Sequence, residues 1–236
     1  MRRRTLIMAA TAGALYRPVR AATKPPGQEP ESRPVVLELF TSQGCSSCPP
    51  ADALLGELAQ RPEVIALAWH VDYWDNLGWH DPYASRQATE RQRAYSGRLG
   101  IGVFTPALVV DGASIVVGSE RREVEAAIAS APALPVAVTL SRGSDGLVAE
   151  IGGGPGPLRA VFAAYDPEHA TNVGAGENEG TRLREYRIVR KAAMLSEWDG
   201  GPRRFNLPAL DPGQGSVVLV QSADLRILGA ADQPAG

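Results

Sequence analysis

The sequence predicts an α/β unit followed by a small all-β unit of the antiparallel sandwich type, and three observations carry that reading. Between Pro34 and Ala131, apolar runs of strand length alternate with segments of helical period. From Pro132 onward the helical period almost vanishes, and short β-rich runs are separated by Gly, Pro and Asp turns. The only two cysteines, Cys45 and Cys48, form a Cys-x-x-Cys where the first strand run meets the first helical one.

Residues 1–21 read as an export signal. Arg2-Arg3-Arg4 precede a mildly apolar stretch ending at Leu15, and Val19-Arg20-Ala21 places small residues at −3 and −1 of a cleavage site. The paired arginines resemble a twin-arginine leader, and an ordinary secretory leader with extra basic residues stays open beside it. The stretch is too short and too rich in Ala, Thr and Gly for a permanent span, so no stable membrane insertion is expected once it is removed. Residues 22–33, rich in Pro, Gly and Glu, read as a flexible tether. Cleavage after Ala21 removes five arginines and no acids, leaving 19 basic against 26 acidic residues, a net −7. That balance argues against nucleic acid or an anionic membrane as partner. The expected location is periplasmic or secreted, where disulfides persist.

In order along residues 34–131, Val35–Thr41 is a nearly continuous apolar strand interrupted by Glu38. Ala51–Gln60 carries Leu54, Leu55 and Leu58 at helical spacing, and Val64–Val71 is a second buried strand. Asp81-Pro82 reads as the N-cap and first residue of a helix that runs to Leu99 and stops at Gly100. Ala107–Asp111 and Ser114–Val117 form a hairpin turning at Asp111-Gly112. Ser119 then caps a short helix with Val124, Ala127 and Ile128 inward. This order, two parallel strands finished by an antiparallel pair, is that of a thioredoxin-like domain. Residues 132–236 form the C-terminal β-rich domain, with strands expected at 135–141, 147–151, 158–165, 183–189, 216–221 and 225–228.

The chemistry centres on Cys45 and Cys48. A thiolate at a helix start is stabilised by free N–H groups and the helix dipole. Cys45 is expected to be the more exposed, attacking thiol and Cys48 the resolving one. Ser46 and Ser47 add hydroxyls but no positive charge. Zinc would need a second Cys or His pair at similar spacing, and the sequence has none. A static structural disulfide is the plain alternative, although so short a loop adds little stability. Thr105-Pro106 stands where a cis-proline faces the cysteines in such folds; it would present the Thr105 backbone to a substrate strand and keep metal off the thiols. Glu38, on the strand leading into the motif, is a candidate proton acceptor for Cys48 or a charge facing solvent. Trp69, His70, Asp72, Tyr73 and Trp74 begin at the carboxyl end of the second strand, the side on which such sheets carry their sites. With Ser46 and Ser47 they are candidates for the substrate groove, or in part for the core. His70 could complete a Cys45, Cys48, His70 copper or zinc set, or be a structural residue.

Residues 38–52, Trp69-His70-Val71-Asp72-Tyr73-Trp74-Asp75 and Phe104-Thr105-Pro106 together resemble an exported bacterial thioredoxin-like family, domain of unknown function 1223. The resemblance continues through Gly176-Glu177-Asn178-Glu179-Gly180, Val189-Arg190 and Trp198-Asp199-Gly200. Arg187-Ile188 stands where Asn-Val is expected, and Ser196 where glycine is usual. The resemblance implies a thioredoxin-like fold and export, and names no substrate. Two functions follow as expectations. One is a thiol–disulfide oxidoreductase acting on protein thiols and disulfides, with the cysteine pair as its redox centre and no other cofactor. The other is a non-enzymatic binding module, for a protein partner or copper, whose cysteines are ligands or a static bridge.

Overall fold

Val35–Thr41 forms β1, and its alternation decides what lies on each side of the sheet. Leu37 and Leu39 face α1 (Pro49–Leu58) and α3 (Arg121–Ser130), whereas Val36 and Phe40 face α2 (Arg86–Leu99). β2 (Val64–His70) pairs with β1 in parallel, and β3 (Ala107–Val110) pairs with it antiparallel on the other side. β4 (Ser114–Val117) completes the hairpin with β3. These residues belong to a computed structural model that describes residues 34–143 and 146–236, so the leader expected over 1–21 and the tether over 22–33 lie outside the described residues.

The hairpin turns where the sequence places it. Asp111 and Gly112 both have positive φ, as a two-residue turn matched to strand twist requires. A side chain at Gly112 would also collide with the carbonyl of Leu225. α2 ends on Gly100 in the left-handed conformation, as expected. It starts later than Asp81-Pro82 suggests: Ser85 is its N-cap and its hydroxyl accepts the Ala88 N–H. Asp81 caps only its own short turn, accepting the Tyr83 N–H on one carboxylate oxygen, and its other oxygen binds His70 and the Gln43 N–H. Glu120, rather than Ser119, precedes α3, with no side-chain cap. Val124 is fully buried there, with Ala127 and Ile128 partly so.

The β-rich segment is built differently from the separate sandwich expected. β5 (Val138–Gly143), β6 (Gly146–Ile151) and β9 (Arg203–Asn206) form a small antiparallel sheet in the order β5-β6-β9. β7 (Leu158–Asn172), β8 (Arg182–Trp198), β10 (Gly215–Ser222) and β11 (Ile227–Gln233) instead extend the first sheet, which reads β11-β10-β7-β8-β2-β1-β3-β4. The result is a mixed α/β architecture with a small antiparallel sheet packed on it. The two sheets do share a sandwich-like core, in which Ala149 and Ile151 meet Phe162, Val218 and Val220.

The junction is narrow. β8 meets β2 in parallel at the single register pair Ala68↔Ile188. The residue before it, Arg187, has φ 57°, which turns its side chain across the seam. Its guanidinium donates to the Ala66 carbonyl and to Asp232, and stacks on the Tyr165 ring. Asparagine tolerates positive φ more readily than arginine, which accounts for asparagine being the expected residue there. Tyr186 lies against Gly56 of α1, where any side chain would overlap its ring. β7 and β8 outrun their expected lengths because the residues past Tyr165 and Val189 are mostly exposed or half-buried and carry no alternating apolar signal. β9 carries one aromatic among polar residues and has no alternating signal in the sequence.

Candidate functional site

After Thr41 the chain makes a tight turn into α1. Cys45 N–H donates to the Ser42 carbonyl, Cys48 N–H to the Cys45 carbonyl, and Cys48 is the N-cap of α1. Pro49 and Pro50 fill the first helical positions and bring no N–H, so the helix start offers fewer donors than a generic one. Cys45 and Cys48 are joined as a disulfide. Both are 0% exposed, so Cys45 is not the more accessible of the two, contrary to expectation. Ser46 and Ser47 are the exposed residues of the motif.

Several sequence-predicted residues converge here. The Thr105–Pro106 bond is cis. The Thr105 hydroxyl donates to Cys45 Sγ at 3.3 Å while accepting the indole N–H of Trp74 at 3.0 Å. The Ser47 hydroxyl lies 3.4 Å from the same sulfur. Tyr73 packs beside Trp74, and burial pushes its phenol up. Cys45, Cys48, Ser46, Ser47, Thr105, Pro106, Trp74 and Tyr73 therefore form one neighbourhood.

Others are placed elsewhere. Trp69 sits in the core on the α2 face, under the Arg91 guanidinium. Asp72 accepts the Thr89 hydroxyl at 2.6 Å and ties its turn to α2. Glu38 is fully buried on that same α2 face, bound by both arms of Arg91 at 2.5 and 2.9 Å and by the Tyr95 hydroxyl at 2.5 Å. It neither faces solvent nor lies on the α1 side with the cysteines. His70 is committed to Asp81 at 2.7 Å, with Glu185 3.8 Å from its other nitrogen. Among the described residues, no group of three His, Cys, Asp or Glu side chains is arranged to hold a metal ion, so the Cys45, Cys48, His70 set is not assembled.

The acid on the cysteine side is Asp52, one turn into α1, whose N–H donates to the Cys48 carbonyl. Burial raises its pKa to about 7; His70 and the Thr41 hydroxyl oppose the shift, while Glu185 and Asp81 add to it. Burial disfavours charge on His70, yet Asp81, Glu185 and Asp52 outweigh it and bring the imidazole to about 9. Burial likewise raises Glu185.

Gln43 links this buried cluster to the motif and uses every polar group it has. Its N–H donates to Asp81, its amide nitrogen to Glu185 at 2.6 Å and Thr171 at 3.0 Å, and its amide oxygen accepts Trp79 Nε1 at 2.9 Å. The turn between β7 and β8 closes over the motif. Asn178 donates to the carbonyls of Gln43 and Cys45 at 2.9 and 3.0 Å, and Glu177 accepts the N–H and hydroxyl of Ser46 at 3.2 and 2.7 Å. Sequence reasoning did not assign Asp52, Asp81, Glu177, Asn178 or Glu185 to the site. The signal for the turn was its occurrence in a motif-like run, Gly176–Gly180, about 130 residues downstream of the cysteines.

The family described as protein of unknown function, DUF1223, matches residues 36–221. The chain belongs to this family. An Agrobacterium tumefaciens protein solved by X-ray crystallography is 34% identical, with 89% of this chain and 97% of that one covered and a TM-score of 0.77. HBP35 of Porphyromonas gingivalis is 17% identical, with 86% and 75% covered and a TM-score of 0.56, a likeness that reaches the fold alone. No curated protein matches.

Proposed function

We propose that this DUF1223 chain is a thioredoxin-like thiol–disulfide oxidoreductase, exported to the periplasm or beyond, whose substrates are protein thiols and disulfides. The observation that carries the reading is the convergence on Cys45 Sγ of the Thr105 hydroxyl, itself held by Trp74, and the Ser47 hydroxyl. These donors meet a developing thiolate without a positive charge beside it. A substrate thiolate attacks Cys45 Sγ, the Cys45–Cys48 bond breaks, and Cys48 leaves as a thiolate, giving a substrate–Cys45 mixed disulfide. A second substrate thiolate attacks the substrate sulfur, releasing a substrate disulfide and the Cys45 thiolate. Two electrons pass from the two thiols to the pair, and the reverse sequence reduces a disulfide. Asp52, with a pKa near neutrality and its backbone on the Cys48 carbonyl, suits exchange of the Cys48 proton. The arginine-rich leader and the oxidised pair support export.

Replacing Cys48 with alanine tests the reading. Covalent Cys45–partner adducts should accumulate and be released by a reductant, and Cys45→Ala should form none. The absence of adducts, together with a disulfide that resists excess of the uncharged reductant dithiothreitol, would sink it. The complete burial of both cysteines favours a second reading, a protein-binding module with a static bridge, which predicts that same pair of negative results. Copper binding through His70 has no support from the geometry, since among the described residues no three His, Cys, Asp or Glu side chains are arranged to hold an ion.

A further inference from the structure

Both sulfurs are buried, and the exposed residues of the motif beside them are Ser47, whose hydroxyl lies on Cys45 Sγ, and Ser46, which is hydrogen-bonded to the exposed Glu177. Residues 41–50 carry no charged side chain. Among the described residues, Glu177 is the one exposed charge hydrogen-bonded to this turn; Asp81 and Glu185 also bond to it but are buried. Its partners hold its carboxyl below the usual range, so it is anionic throughout the working pH. Glu179, exposed two residues on, has the same sign. Neighbouring Asn178 is buried and fastened to the Gln43 and Cys45 carbonyls, so the turn is anchored while Glu177 on one side of it and Glu179 on the other stay exposed.

Resting on the oxidoreductase reading, we infer that Glu177 is the specificity-determining residue of the site, selecting substrate cysteines flanked by Lys or Arg over anionic thiols. A cation beside the incoming sulfur pairs with Glu177 and draws it off Ser46. This frees the Ser46 N–H and hydroxyl and opens the exposed Ser46–Ser47 side of Cys45 to attack. An anionic thiol such as glutathione meets repulsion at the same point and leaves the Glu177–Ser46 contact closed. The exchange is that written above; Glu177 adds no atoms or electrons to it and acts on the encounter and on the cover.

The test uses the full chain with its disulfide formed and two synthetic thiol peptides, acetyl-Lys-Cys-Lys-amide and acetyl-Glu-Cys-Glu-amide. Rates of disulfide reduction are corrected for each peptide's thiolate fraction. The cationic peptide should react about 3–10-fold faster at low ionic strength, with the difference shrinking in 1 M salt. Glu177→Gln should bring the ratio close to one, and Glu177→Lys should invert it. Unchanged ratios in both variants overturn the inference and leave the oxidoreductase reading standing. Failure of the native protein to react with either peptide overturns both. Glu177→Gln nearly preserves shape, so it and the salt dependence decide the matter even where the lysine variant does not fold.

Discussion

Two buried acids flank the same sheet and live under opposite regimes. Glu38, on the α2 face, is gripped by the Arg91 guanidinium and the Tyr95 hydroxyl, and Gln221 completes the network through Tyr95 and Arg91. Asp52, on the α1 face, shares its surroundings with His70, Asp81 and Glu185, one cation among three acids. The first arrangement holds a charge in place, because the carboxylate has a dedicated, hydrogen-bonded counter-ion. The second leaves a proton that several groups compete for, which is the condition for acid–base work near neutrality. The Cys-x-x-Cys lies on the side of the mobile proton.

Removing the counter-ion should break the comparison hardest. Arg91→Leu leaves Glu38 buried and unpaired, at a cost of about 3–5 kcal/mol of stability in urea unfolding. Thiol exchange by the folded fraction should change little, and a collapse of exchange at full folding would show that the two faces are not separate. Next comes Asp52→Asn. Asp52 is raised in the folded state from 3.8 to about 7, so the native protein binds the extra proton between those values and loses stability as pH rises from about 4 to about 7. The asparagine variant should lack that decline and be more stable than the native protein at pH 8 by about 2–4 kcal/mol. His70, raised from 6.5 to about 9, should still give a further decline between those two values. In the same variant the pH dependence of disulfide exchange near pH 7 should flatten, and an unaltered profile would remove Asp52 from the chemistry. Tyr95→Phe should have the smallest effect, about 1.5–3 kcal/mol, since its hydroxyl's bonds to Glu38, Arg91 and Gln221 are lost while the ion pair stays, with no change in the pH profile.

These two acids also show where sequence reasoning reached its limit. Glu38 is conspicuous, a lone charge in an apolar strand leading into the motif, yet the sequence leaves both its burial and its side of the sheet open. Period-two alternation groups Glu38 with Val36 and Phe40, but only the packed helices reveal that α2 covers that group and that α1 covers Leu37 and Leu39. Asp52 looked like an ordinary acid in the first turn of a helix. Its raised pKa comes from burial first, with Glu185 and Asp81 adding to it and His70 opposing, and those residues converge from three separate stretches of chain. Asp81-Pro82 has the local pattern of a helix cap and does accept the Tyr83 N–H, but the helix begins only after Ser85, and the second carboxylate oxygen binds His70.

Local chemistry made other features legible from the sequence. Asp111-Gly112 is a hairpin turn wherever strands flank it, Gly100 ends a helix because it tolerates positive φ, and a strand, a Cys-x-x-Cys and a leucine-spaced helix in succession placed the disulfide correctly. Each depends on residues a few positions apart. Three things were decided by tertiary structure alone. They are the extension of the first sheet by β8 through one register pair at Ile188, the fastening of the Gly176–Gly180 turn onto Cys45 and Ser46 through Asn178 and Glu177, and the approach of Glu185 to buried Asp52 and His70. All three join segments more than 100 residues apart, where hydrogen-bond geometry and desolvation depend on the assembled three-dimensional surroundings and leave no periodic trace in the chain.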